Sequence, residues 1–178
     1  NWVKTYFKYK GSEQFWDSDG EGEVANKKKD AFLNFVKDAG FIAPNRTVGH
    51  DKYTKFDITD FGKVVFSLGF DSEAAWGLML SNLVYAPDFN WYVKNIPENS
   101  VVTPDLMKML LEPFMENDAK GLGKRNVVDA FKIILITTPL GSTLGLGNCD
   151  YVKKITSTGN ETYTLNSLTR TAWEYPEP

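Results

Sequence analysis

"GLGKRNVVDAFKIILITTPLGSTLGLG", residues 121–147, holds two glycine clusters, a Lys-Arg pair and an apolar helical run between them. It could be a phosphate cradle, a nucleic-acid reader or a structural element. A P-loop needs G-x-x-x-x-G-K-[ST], because backbone N–H groups wrap the phosphates and a hydroxyl holds magnesium. Here Gly123-Lys124 is followed by Arg125, and the position five residues before Gly123 is Asp118. A dinucleotide fingerprint fails as well, since Gly145 and Gly147 are followed by Asp150 where a third glycine is required. The structural reading remains. Residues 120–123 then form a turn between helices, and Asn126 caps a helix with Asp129 three residues on. That helix ends near Thr138-Pro139, and residues 139–147 lead into a strand. Its apolar residues (Val127, Val128, Ala130, Phe131, Ile133, Ile134, Leu135, Ile136) cover nearly the whole circumference. A helix of that kind is a core helix, with too few polar side chains to read base edges.

Downstream, "DYVKKIT-STGN-ETYTLNSL" reads as a β-hairpin around Gly159. Upstream, residues 72–85 read as a helix with Asp71 as N-cap, and "FNWYVKNI", residues 89–96, as a strand. Thr103 caps a further helix whose first position is Pro104. Helix, strand, helix, helix, strand, strand is the element order of a winged-helix domain, with Tyr151–Thr169 as the wing. Nearer the N-terminus, the alternation from Trp2 to Tyr9 suggests a strand. A helix follows with Phe32, Phe35, Val36 and Ala39 on one face and Gly40 as its stop. The next has Phe61, Val64, Val65 and Leu68 on one face, Thr59 or Asp60 as cap and Gly69 as stop. The expected fold is α+β and mostly α-helical. A helix pair in an N-terminal segment, 1–69, packs on a winged-helix-like domain, 70–178, that ends in a β-hairpin.

The charge pattern adds a candidate surface. The 178 residues carry a net charge of −3, which argues against attraction of nucleic acid to the whole surface. From Asp118 to Thr156, six basic residues stand against three acids, so this window carries +3 and the remainder −6. Lys124, Arg125, Lys153 and Lys154 are its candidate anion or nucleic-acid contacts. Lys124 and Arg125 would precede a helix N-terminus, where a bound phosphate would offset their opposition to the helix dipole. Cys149 is the sole cysteine, so an internal disulfide is impossible and a reducing, cytoplasmic setting is expected. No run of about 18 apolar residues suggests a membrane partner. Without an initiator Met, the sequence reads as a segment of a longer intracellular chain.

Other constellations are weaker. Asp17, Asp19, Glu21, Gly22 and Val24 match a calcium loop, but Lys28 stands where the bidentate Glu belongs. A solvated acidic loop is the simpler reading. His50, beside Asp51, lacks the further histidines of a metal site and any G-x-S-x-G partner. Cys149 has no histidine near it in sequence and reads as structural. The N-terminal aromatics (Trp2, Tyr6, Phe7, Tyr9, Phe15, Trp16) read as half of a core or an interface, and could also stack on sugars or bases.

"LGKRNVVDAFK", "TPLGSTLGLG" and "TAWEYPEP" resemble the accessory region of bacterial phosphoadenosine phosphosulfate (PAPS) reductase-related proteins, over residues 120–178. The resemblance implies a winged-helix-like appendage to a nucleotide-binding catalytic domain. The family's Ser-Gly-Gly-x-Asp-Ser loop and C-terminal Cys motif are not in this sequence, so no catalytic residue carries over. The expected function is a non-catalytic accessory or interaction module, bound to the rest of its parent chain or to a protein partner. Nucleic-acid backbone binding is the alternative, and part of a reductase or sulfotransferase-type enzyme is a third. No catalytic, cofactor or metal residue is assigned.

Overall fold

Trp2–Lys8 is a helix, α1, and not the strand its alternation suggested. Strand geometry would spread aromatic rings over both faces. Helical spacing instead gathers Trp2 with Tyr6 and Val3 with Phe7 on one side, and Tyr6 and Phe7 are buried. Residues 2–12, 15, 26–44, 56–115 and 122–171 are described by the computed structural model. The chain divides into two units, Asn1–Ala86 and Pro87–Pro178. The expected division at 69/70 differs from this by one helix. The fold is mixed α/β, mostly helical, with two small antiparallel sheets among the described residues.

In the first unit, α2 (Asn26–Asp38) buries Phe32, Leu33 and Val36, and Gly40 follows it at φ 81°. Two short strands that no sequence signal announced, β1 (Ile42–Pro44) and β2 (Phe56–Ile58), pair antiparallel. Helix α3 (Asp60–Leu68) is capped by Thr59, whose Oγ1 accepts from the Gly62 N–H at 2.9 Å. The same hydroxyl donates to the Gly40 carbonyl at 2.6 Å, so it satisfies two helix ends at once. The face of α3 is rotated from the expected one: Gly62 and Val65 are buried, while Val64 and Leu68 are exposed. Gly62 explains this, because a Cβ there would come within 2.7 Å of the Phe41 carbonyl oxygen. The close backbone approach selects the side of α3 that faces inward. Helix α4 (Glu73–Leu83) is capped by Ser72, not Asp71, through Ser72 Oγ and the Ala75 N–H. The Tyr6 ring lies in the middle of this unit, 5.0 Å from Phe15, 5.4 Å from Phe32, 5.7 Å from Phe41 and 5.5 Å from Phe66.

The second unit opens with α5 (Pro87–Asn95), where the sequence reading expected a strand over 89–96. Phe89, Trp91, Tyr92 and Ile96 are all buried. Adjacent buried Trp91 and Tyr92 do not fit a half-buried strand, whose neighbours point to opposite faces, but both fit a broad helical stripe. Pro87 at the first helical position favours the start. A two-residue strand, β3 (Val101–Val102), precedes α6 (Pro104–Leu111), which Thr103 caps as expected. After a 3-10 turn at Glu112–Phe114 comes α7 (Leu122–Thr137). It starts four residues before the expected cap, so Asn126 lies inside it, and Leu122-Gly123 is helix and not turn. Val128, Phe131 and Leu135 are buried, whereas Ile134 is half-buried and Ile133 is 43% exposed. The helix therefore packs by one face, and is not enclosed all round. The Phe131 ring stacks on Tyr92 at 4.6 Å.

Residues 139–147 connect α7 to the hairpin as expected, but they are core and not a loose exit. Leu140, Leu144 and Leu146 are buried, and the Tyr92 hydroxyl donates to the Leu146 carbonyl at 2.6 Å. The hairpin itself is β4 (Asn148–Ile155) and β5 (Glu161–Thr169). Gly159, at φ 80°, closes its loop. The strand order is β3-β5-β4, and the extra residue Asn166 makes a bulge opposite Asp150 and Tyr151. On either side of the bulge β5 contributes Leu165 and Leu168 to the core, while every β4 residue from Asp150 to Ile155 is exposed.

Candidate interaction surface

The four expected anion contacts do not form one free cationic face. Lys124 and Arg125 lie in the first turn of α7, where their charge opposes the helix dipole. The chain compensates locally. Lys124 Nζ is 2.8 Å from Glu112 Oε2, with the lysine side chain only 13% exposed. This contact comes from the preceding 3-10 turn and sets a carboxylate against a cation in the first turn of α7. Arg125 Nε is 3.7 Å from Asp129 Oδ2, and Lys132 Nζ is 2.6 Å from Asp129 Oδ1. On the hairpin, Lys153 Nζ is 2.5 Å from Glu161 Oε1. Lys154 lies on the opposite face of β4 and has no carboxylate partner among the described residues.

Lys153 and Glu161 belong to a small cross-strand group with Tyr151 and Tyr163. The two tyrosine rings are 5.7 Å apart, Lys153 Nζ lies 6.0 Å from the Tyr163 ring centroid, and the Tyr163 hydroxyl donates to Glu161. The hydrogen bond from Lys153, then that from Tyr163, holds the Glu161 carboxyl below its ordinary value of 4.5. The bond to Glu161 raises Lys153 above 10.5. The depressed acid stabilises the folded hairpin above pH 4.5 and loses that contribution as pH falls through its folded value. The raised base contributes below pH 10.5 and loses its share as pH rises through its folded value. Amide exchange at 151–163, corrected for intrinsic rates, is therefore expected to be slowest between those limits. Protection unchanged from below pH 4 to neutrality would show that the pair adds nothing.

Cys149 is half-buried at the start of β4, and its thiol donates weakly to the Gly147 carbonyl, 3.7 Å away. Burial pushes the thiol up to about 11. At pH 8 its thiolate fraction is roughly a hundredfold below that of a free cysteine, so alkylation is expected to be slower by about that factor. Labelling as fast as a free thiol would contradict this placement. The structural reading of Cys149 is the one its surroundings favour.

The remaining sequence candidates give little. His50, Asp51 and the acidic loop residues from Asp17 to Val24 lie outside the described residues, and nothing is described of the Lys28 side chain. Among the described residues no group of three or more His, Cys, Asp or Glu side chains could hold a metal ion. No helix among them is long and apolar enough to cross a membrane.

The surface that sequence reasoning missed is apolar. Tyr151 is 40% exposed, Val152 46% and Ile155 69%, all on β4. On α7, Ala130 and Ile133 are exposed between Arg125 and Thr137. Large apolar side chains on a strand beyond its core are uncommon unless something covers them. The available signal was the hairpin's length: only its base is needed to close the sheet against β3. Comparison with protein-family profiles, curated proteins and solved structures finds no match to this chain.

Proposed function

We propose that residues 87–171 form a winged-helix-like module acting as a non-catalytic accessory and interaction unit. The element order α5-β3-α6-α7-β4-β5 and the strand order β3-β5-β4 support the winged-helix part. In that reading β4 and β5 are the wing, and α7 takes the place of the groove-entering helix. Exposed apolar surface on both elements carries the interaction reading: Ile133 on α7, and Tyr151, Val152 and Ile155 on the wing. A nucleic-acid surface needs unmatched cations for phosphates and polar groups for base edges. Lys124, Arg125 and Lys153 face carboxylates instead, and phosphate would have to displace them. Tyr151 and Ile155 share one face of β4 with Lys153, and Val152 shares the other with Lys154; exposed aromatic and apolar side chains of this kind suit a protein contact. The partner in this reading is another protein or the remainder of a longer parent chain. The resemblance over 120–178 would make that parent PAPS reductase-like, with any reductase or sulfotransferase chemistry outside this segment.

Backbone binding to nucleic acid is the second reading, favoured by the exposure of Arg125 and Lys154. One experiment separates the two. A photoreactive phenylalanine analogue at Ile155, irradiated in cells of the source organism, is expected to give a discrete protein adduct. The module should also bind duplex and single-stranded DNA negligibly at low salt. Absence of any protein adduct, with DNA affinity that falls steeply with salt and drops on Lys154→Ala, would replace the first reading with the second.

A further inference from the structure

The outer edge of β4 is open: among the described residues only β5 pairs with it, from the other side. The hairpin's hydrogen bonds fix which groups that edge presents. The Thr156 N–H donates to the Asn160 carbonyl at 2.8 Å, so the backbone N–H of Thr156 is turned towards β5. Antiparallel alternation then turns the backbone groups of Tyr151, Lys153 and Ile155 away from β5, towards the open edge. Eight residues of regular strand without proline or a bulge of its own form a template for another strand. Lysines on an edge ordinarily discourage such pairing. Here Lys153 is neutralised within the hairpin by Glu161, which leaves Lys154 as the charge that a partner strand must match.

We infer that β4 pairs antiparallel with β4 of a second copy, about a two-fold axis at Val152. In that register Tyr151 and Lys153 of each copy are directly opposed and exchange backbone hydrogen bonds. On one face Val152 meets Val152, and Asp150 of each copy lies opposite Lys154 of the other. Directly opposed side chains on antiparallel strands are about 4.5–5.5 Å apart at Cβ, close enough for both ion pairs. A shift of two residues either way loses them. One shift sets Asp150 against Val152; the other sets Lys153 against Lys153. Only one register satisfies the open backbone groups, both charges and the exposed valine together.

This pairing rests on the hairpin's being a contact surface and names its partner as the same chain. Two strands bury little area, so the dimer is expected to be weak and concentration-dependent. Sedimentation equilibrium of the full chain from about 10 μM to about 1 mM should show reversible dimerisation. Asp150→Lys or Lys154→Asp alone turns both ion pairs into like-charge contacts and should weaken the dimer about tenfold. The double exchange Asp150→Lys/Lys154→Asp should restore it. Both side chains are exposed, so neither change threatens the fold. A second readout uses Cys149→Ser/Val152→Cys, which should oxidise to a disulfide dimer faster than Cys149→Ser/Lys154→Cys, whose thiols would be too far apart. A wild-type protein that stays monomeric at about 1 mM, or a double exchange that does not regain association, overturns the inference. If the photoreactive analogue at Ile155 still captures a different protein, only self-pairing has failed. If it captures nothing, the contact-surface reading has failed as well.

Discussion

Replacing Arg170 with methionine is expected to destabilise the Pro87–Pro178 unit by about 3–5 kcal/mol. Arg170 follows directly on β5 and is only 7% exposed, the sole buried charged side chain among the described residues. Its Nη1 donates to the carbonyls of Val93 and Ile96, both at 2.7 Å, and its Nη2 is 3.3 Å from Glu98 Oε1. These are C-terminal carbonyls of α5 and the residue after it, which no intrahelical N–H can satisfy. A cation there also meets the negative end of the helix dipole. The Glu98 carboxylate is half exposed and contributes little; the two carbonyls carry the effect. Methionine keeps most of the apolar stem, so the substitution isolates the lost hydrogen bonds. Hydrogen exchange of the full chain in graded urea reads the result in peptides from 87–171, as a fall in protection of about two to four orders of magnitude. A loss under about 1 kcal/mol would show that water reaches those carbonyls.

Gly141→Ala is expected to cost about 3 kcal/mol or more, above the usual range for overpacking. A Cβ at 141 would sit 1.8 Å from the Leu135 carbonyl oxygen and 3.2 Å from that of Gly147. Both obstacles are backbone, so no side-chain rotation relieves them. The end of α7 and the 139–147 loop would have to separate, breaking the bonds from Leu146 N–H to Leu140 and from Gly147 N–H to Gly141. Gly159→Ala is the matched control. Gly159 has open space around it, and alanine there meets only the left-handed backbone, a cost of about 1–2 kcal/mol. Denaturation monitored by exchange in 87–171 should rank the two clearly. Equal losses would mean that glycine at 141 serves backbone freedom and not space.

The sequence by itself determined what short-range rules can fix. It located the cap Thr103, narrowed the cap of α3 to Thr59 or Asp60, and placed the stops Gly40 and Gly69, the end of α7 near Pro139 and the hairpin around Gly159. Each follows from one residue's backbone preference or one side-chain bond within a few positions. It also identified Phe131 and Leu135 as core, because apolar residues at helical spacing need a buried face. Tertiary structure decided the rest. It turned Trp2–Lys8 and Pro87–Asn95 into helices, since short aromatic runs fit either period until their neighbours choose one face. It rotated α3 onto Gly62 and began α7 at Leu122, four residues before Asn126. The cationic cluster read along the chain shares the same limit. Charge counted in sequence ignores Glu112 and Glu161, which folding brings to Lys124 and Lys153, and Coulomb attraction depends on distance in space.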